Sequence, residues 1–168
     1  MIKKHIYDWT DVERMVTHII TEMYNDNYRP DYIVGLTRGG LVPAIMMSNR
    51  TGIPMYTLDV RLRDRDGLQI KTESNEWMPT DAFNGKNILI IDDINDSGAT
   101  FNWITNDWAS KYPDADIQKI WDNNVRFAVL TENMASEFGN VRYQAHEVNK
   151  AEKDVWLVYP WENVASYG

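Results

Sequence analysis

The chain has 168 residues, enough for one hydrophobic core but not comfortably for two, so a single domain over 1–168 is expected. Hydrophobic residues at 43% and charged ones at 25% suit an ordinary globular protein, and a net charge of −8 lacks the basic footprint a nucleic-acid partner needs. Cysteine is absent, which excludes disulfides and thiol chemistry and fits a reducing cytoplasm; no apolar run approaches a membrane span, so neither export nor anchoring is expected.

Thr10-Asp11-Val12-Glu13 reads as a capping box, and Val12, Met15, Val16, Ile19, Ile20 and Met23 follow at the spacing of one helical face, predicting a helix to about Asn25. Turn chemistry over 24–30 leads to a short buried strand at Tyr32-Ile33-Val34-Gly35. Next comes Leu36-Thr37-Arg38-Gly39-Gly40-Leu41-Val42-Pro43, whose two glycines free backbone N–H groups and whose Arg38 can grip phosphate oxygens. A helix from about Val42 to Arg50 should stop at Gly52, and Pro54 to Val60 reads as the next strand. Residues 61–85 are polar, alternately charged and without a sustained period, so a long loop is expected there.

Ile88-Leu89-Ile90-Ile91 is continuously apolar, as for a strand buried on both faces of a parallel sheet. Two carboxylates, Asp92 and Asp93, follow at once, and Asp96-Ser97-Gly98-Ala99-Thr100 then makes a small-residue turn ahead of a helix. Hydroxyls at Ser97 and Thr100 and free N–H groups at a helix start suit a phosphate dianion; the acids suit ribose hydroxyls or the waters around Mg²⁺. Phe101, Ile104 and Trp108 share one face of that helix, which should end near Lys111-Tyr112-Pro113. Val125 to Leu130 reads as another inner strand, Val141 to Val148 as a further one, and Val155 onward as extended until Pro160. His5, His18 and His146 show no metal-binding spacing and read as surface or packing residues.

The run 88–100 resembles the phosphoribosyl pyrophosphate (PRPP) signature of type I phosphoribosyltransferases. Arg38-Gly39-Gly40-Leu41-Val42-Pro43 is similar to the pyrophosphate loop of that family's xanthine-guanine members, often carrying a cis peptide, which would fall here between Thr37 and Arg38. Trp156-Leu157-Val158-Tyr159-Pro160-Trp161-Glu162 resembles the C-terminal Trp-x-x-x-Pro-Trp-acid segment of the same enzymes. The implied fold is α/β: a Rossmann-like, open, mainly parallel sheet with flanking helices, a core over about 10–131, and a small hood from 1–9 and about 132–168.

The implied activity is Mg²⁺-dependent transfer of the 5-phosphoribosyl group from PRPP to a nucleobase of the hypoxanthine, guanine or xanthine type. The products are a nucleoside monophosphate and pyrophosphate, and the family habit is a homodimer or homotetramer in the cytoplasm. Carried over residue by residue, Arg38, Gly39, Lys71, Asp92, Asp93, Ser97, Gly98, Ala99 and Thr100 would bind PRPP, with Asp93 at the metal and Asp92 on the ribose. Asp96 would relay a proton at the purine N7, Trp156 would cover the base and Leu157 would meet its edge. Lys71 reads equally as a surface lysine on a hairpin, and Trp156 also reads as a core residue. Purine enzymes of the family carry a lysine just after the strand matching 125–130; here the sequence is Leu130-Thr131-Glu132-Asn133. Either Glu132 or Asn133 selects an altered base, or another residue replaces that lysine. The alternative from another class is a non-catalytic PRPP or nucleotide sensor on the same fold.

Overall fold

The computed structural model of the chain describes residues 3–60, 75–113 and 116–162, with Ile117 in its backbone only. Lys71 therefore lies outside the described residues. The main sheet has five strands in the order β3-β2-β4-β5-β6, and every pairing in it is parallel. Its strands are β2 (Tyr32–Thr37), β3 (Met55–Asp59), β4 (Ile88–Asn95), β5 (Val125–Asn133) and β6 (Val141–Val148). Among the described residues four α-helices accompany it: α1 (Trp9–Asn25), α2 (Leu41–Thr51), α3 (Trp77–Phe83) and α4 (Ala99–Lys111). This is the open parallel α/β sheet that the apolar runs imply.

Period-2 alternation along the central strands separates two cores. Ile33, Leu89, Ile91, Ala128 and Leu130 point to the face covered by α1 and α2, where Val12, Val16, Ile19, Met23 and Met47 meet them. Val34, Leu36, Ile88, Ile90, Phe127 and Val129 point to the other face, covered by Met78 and Ala82 of α3 and by Phe101, Ile104 and Trp108 of α4. Burial on both faces explains why β4 begins with an unbroken apolar run, Ile88 to Ile91, and β5 contains one, Phe127 to Leu130.

β1 (Lys3–Ile6) and β7 (Val155–Val158) pair in parallel as a separate two-stranded sheet, joining the first described residues to almost the last. Residues 141–148, within the stretch assigned to a hood, are instead β6 at the edge of the main sheet.

Other local expectations also shift. The box at the start of α1 is built by Asp8 and Asp11, not Thr10 and Glu13: Asp8 Oδ1 accepts the Asp11 N–H at 2.7 Å, and Asp11 Oδ2 accepts the Asp8 N–H at 2.9 Å. A carboxylate caps as well as a hydroxyl, so helix begins at Trp9. The 61–85 stretch, expected to be loop, contains α3, which buries Met78, Pro79 and Ala82; Asn75 Oδ1 accepts the Met78 N–H at 3.0 Å. The helix has seven residues, too few to show a period, with its proline in the first turn where no N–H is missed. α2 ends as expected at Gly52, in the left-handed region at φ 74°.

Candidate active site

The apolar start of β4 runs to Ile91, and the strand continues through Asp92 and Asp93 to Asn95. Its pairing with β5 extends to the same level, Asp92 opposite Val129 and Asn95 opposite Glu132. The acids thus sit at the carboxyl edge of the sheet, where ligands of open α/β folds bind. Each carboxylate is fixed by the next peptide: the Asp93 N–H donates to Asp92 Oδ1 and the Ile94 N–H to Asp93 Oδ1, both at 2.8 Å. Burial drives the Asp92 carboxyl well above the usual carboxylate range, with the neighbouring Asp93 charge pushing the same way. Burial raises Asp93 too.

Beyond β4 the chain turns through Ser97 and Gly98 into α4. Gly98 has φ 92°, and a Cβ there would lie 2.6 Å from the Phe138 backbone nitrogen, so only glycine fits both the dihedral and the space. Ser97 Oγ accepts the Ala99 N–H at 3.2 Å, and Ser97 O accepts the Glu137 N–H at 3.0 Å. A cavity of about 180 Å³ follows this turn, lined by Asp92 through Phe101. A second, of about 480 Å³, shares Asp96, Ser97 and Ala99 with it and adds Asn102, Asn133, Ala135 and Glu137.

The loop after β2 closes on the acids from the neighbouring strand. The Thr37–Arg38 peptide is cis, at the bond where the family resemblance places it. Thr37 Oγ1 donates to Asp59 Oδ1 at 2.7 Å, tying the loop to β3. A Cβ on Gly39 would stand 2.3 Å from Asp93 Oδ2, and one on Gly40 would stand 2.3 Å from Ile91 O. The bare backbone of the loop is what allows this approach. Arg38 is exposed beside it.

Asp96 is positioned from the far side. Asn133 Nδ2 donates to Asp96 O at 2.9 Å and to its Oδ1 at 3.3 Å, while Asn133 Oδ1 accepts the N–H groups of Ala135 and Lys150, each at 3.1 Å. Lys150 then returns its own Nζ to Asp96 Oδ1 at 3.0 Å. Glu132 is engaged elsewhere: it is buried and accepts from Asn95 Nδ2 at 2.7 Å, and burial raises its carboxyl above the ordinary value.

A phosphoribosyl transferase domain family matches residues 3–158, nearly the whole chain. The chain belongs to that family. It is similar to a xanthine-guanine phosphoribosyltransferase of Cereibacter sphaeroides, 28% identical over 80% of this chain and 71% of that one. It is also similar to xanthine phosphoribosyltransferase 1 of Saccharomyces cerevisiae, 21% identical over 92% of this chain and 87% of the relative. Among solved structures, a purine phosphoribosyltransferase from Pyrococcus horikoshii shares the fold with a TM-score of 0.69 at 22% identity, covering 96% of this chain and 95% of the other.

Within this phosphoribosyltransferase, the structure gathers Asp92, Asp93, Asp96, Ser97, Gly98, Ala99 and Thr100 around one cavity and lays Gly39 against Asp93. Trp156 and Leu157 line neither of the two cavities. Trp156, 37% exposed on β7, has Lys4 Nζ 4.7 Å from its ring centroid, and Leu157 is buried in the core with Tyr159. Lys150 is the residue that sequence reasoning missed. It lies in the turn between β6 and β7, far along the chain from the position where the family keeps its lysine, and nothing local marks it. Only the fold brings its ammonium to Asp96.

Proposed function

We propose that this phosphoribosyltransferase transfers the 5-phosphoribosyl group from PRPP to a 6-oxopurine, releasing a nucleoside monophosphate and pyrophosphate. One observation carries the reading: Asp96, between two adjoining cavities, is held by Asn133 and paired with Lys150. The smaller cavity, with Ser97, Thr100 and the N–H groups that open α4, suits the 5-phosphate. The larger suits the base, and the names of the relatives make xanthine and guanine the first bases to try.

Asp92 and Asp93 fit a divalent cation: two carboxylates whose charged forms burial disfavours gain from a counter-charge. When bound there, Mg²⁺ would offset negative charge on the departing pyrophosphate. Arg38 and the backbone of Gly39 would hold the same leaving group, with Lys71 as a further contact. Asp96, paired with Lys150, would accept or return a proton at the purine N7. Lys150 would also take the part of the lysine absent after β5, its ammonium donating to the oxygen at purine C6. Trp156 would stack on the base, and Leu157 would offer backbone groups to the base edge. Most of the acceleration comes from holding base and ribose in line away from water. Assembly as a homodimer or homotetramer and residence in the cytoplasm complete the proposal; among the described residues, no helix is long and apolar enough to cross a membrane.

The test is pyrophosphate release from PRPP and Mg²⁺ with a panel of bases. Release is expected with at least one 6-oxopurine and not with adenine. Binding of PRPP by calorimetry with no release from any base would replace the enzyme with a sensor of the same ligand.

A further inference from the structure

At the end of β5 one carboxamide uses every hydrogen bond open to it. Asn133 is buried and lies in the stretch 130–133, where the family resemblance expects a lysine. Its Oδ1 accepts the N–H groups of Ala135 and Lys150, each at 3.1 Å, and its Nδ2 donates to Asp96 O at 2.9 Å and to Asp96 Oδ1 at 3.3 Å. Two acceptor sites and two donors exhaust an amide side chain, so Asn133 has nothing left to offer a ligand. Turned over, the amide would set its NH2 group against two N–H groups and its oxygen against two oxygens, so its orientation is fixed.

These bonds reach two other segments. The turn after β6 is tied to the end of β5 twice, by the Met134 N–H to Val148 O at 2.7 Å and by the Lys150 N–H to Asn133. Asn149 closes the same turn, its Oδ1 accepting the Ala151 N–H at 3.1 Å and its backbone oxygen the Lys153 N–H at 3.0 Å. With its peptide held there, Lys150 sets Nζ 3.0 Å from Asp96 Oδ1. Oδ1 of Asp96 thus faces two donors, Asn133 and Lys150. Among the described residues no donor reaches Oδ2, and the Asp96 side chain, 52% exposed, lines both cavities.

We propose that Asn133 is the positioning residue of the base site: by occupying Asp96 Oδ1 and seating Lys150, it presents Asp96 Oδ2, an acceptor, beside Lys150 Nζ, a donor. The clamp stands on geometry; its use rests on the function proposed above and names the edge of the base that is read. A 6-oxopurine with its imidazole proton on N7 offers a donor at N7 beside an acceptor at the C6 oxygen, the complement of that pair. The same tautomer leaves N9 with the lone pair that attacks the ribose. As the bond from N9 to the ribose carbon forms, the bond from that carbon to pyrophosphate breaks, its electron pair leaves on pyrophosphate, and the N7 proton passes to Oδ2. Adenine in this pose would turn amino hydrogens toward the ammonium. Without the carboxamide, the Asp96 carboxylate is free to rotate and the turn that carries Lys150 loses one of its two ties to β5.

The test follows the full chain by NMR hydrogen exchange and by pyrophosphate release. In the wild type the Asn133 side-chain amide should exchange more slowly than that of the exposed Asn140; equal rates overturn the clamp with no variant needed. Asn133→Asp keeps an acceptor and removes the donors, whereas Asn133→Ala removes both. The Lys150 N–H should therefore stay protected in the first and lose protection in the second, and protection unchanged in a folded Asn133→Ala overturns the seating of Lys150. With a 6-oxopurine, Asn133→Asp should lower kcat/KM for the base about tenfold, the equivalent of one hydrogen bond, while PRPP affinity by calorimetry stays near the wild-type value. A purely structural role would move both together, and an unchanged kcat/KM overturns the proposal. Lys150→Met should cost less in an Asn133→Ala background than in the wild type; strict additivity again overturns the seating. No release from any base by a wild type with a protected carboxamide sinks the function and the reading of the base edge but leaves the clamp, and release with an unprotected carboxamide sinks the clamp alone.

Discussion

Replacing Asp92 with Asn removes a charge that the free protein holds at a cost. The folded carboxyl lies well above the ordinary value of about 3.9. Between those two values the folded chain binds more protons than the unfolded one, so this group makes stability fall as pH rises through the window. Asp92→Asn should therefore melt at a higher temperature than the wild type at neutral pH in the presence of a chelator. The two should converge below about pH 3.9, and the variant should bind PRPP more weakly. A lower melting temperature for the variant at neutral pH would contradict this account. Lys150 acts differently. Its ion pair with Asp96 is only partly covered, so Lys150→Met should change stability little. In the transferase assay it should lower kcat/KM for a 6-oxopurine by about 10- to 100-fold, the loss of a charge-assisted hydrogen bond, with PRPP affinity nearly intact.

The loops at the edge of the sheet make their own predictions, because two of them depend on a missing Cβ. Gly39→Ala would drive a methyl into the Asp93 carboxylate, so PRPP binding should fall sharply in calorimetry while far-UV circular dichroism stays native. Gly98→Ala combines a left-handed φ of 92° with a clash at Phe138 and should cost about 1–3 kcal/mol in urea unfolding. Elements marked by long patterns were legible in the residues alone: the helical face of Val12 to Met23, and the apolar runs of β4 and β5 that imply a parallel sheet. What was not legible had no local pattern. α3 is shorter than two periods, the start of α1 depends on which of two plausible boxes forms, and β4 and β5 run beyond their apolar runs because they keep pairing through polar residues. The cradle at 96–100 was legible because its chemistry is contiguous. The approach of Lys150 to Asp96 was not, since it joins residues far apart in sequence.

Across the whole molecule, stability should be graded outward from the strands that share both cores. Amide hydrogen exchange should be slowest in β2, β4 and β5, which are central in the main sheet and covered on both faces. The isolated pair β1 and β7 has one hydrogen-bonded neighbour per strand and should exchange first. Equal protection of the two sheets would mean that they open as one unit. That pairing also bears on synthesis. A chain emerging from the ribosome can assemble all five strands of the main sheet before residue 155 is made, while β1 waits without its mate. Tyr159, whose hydroxyl donates to the backbone oxygen of Asp93 at 3.0 Å, arrives only with the same late segment. A nascent chain halted before that point would be folded yet unfinished at its reaction centre, and competence would come with β7.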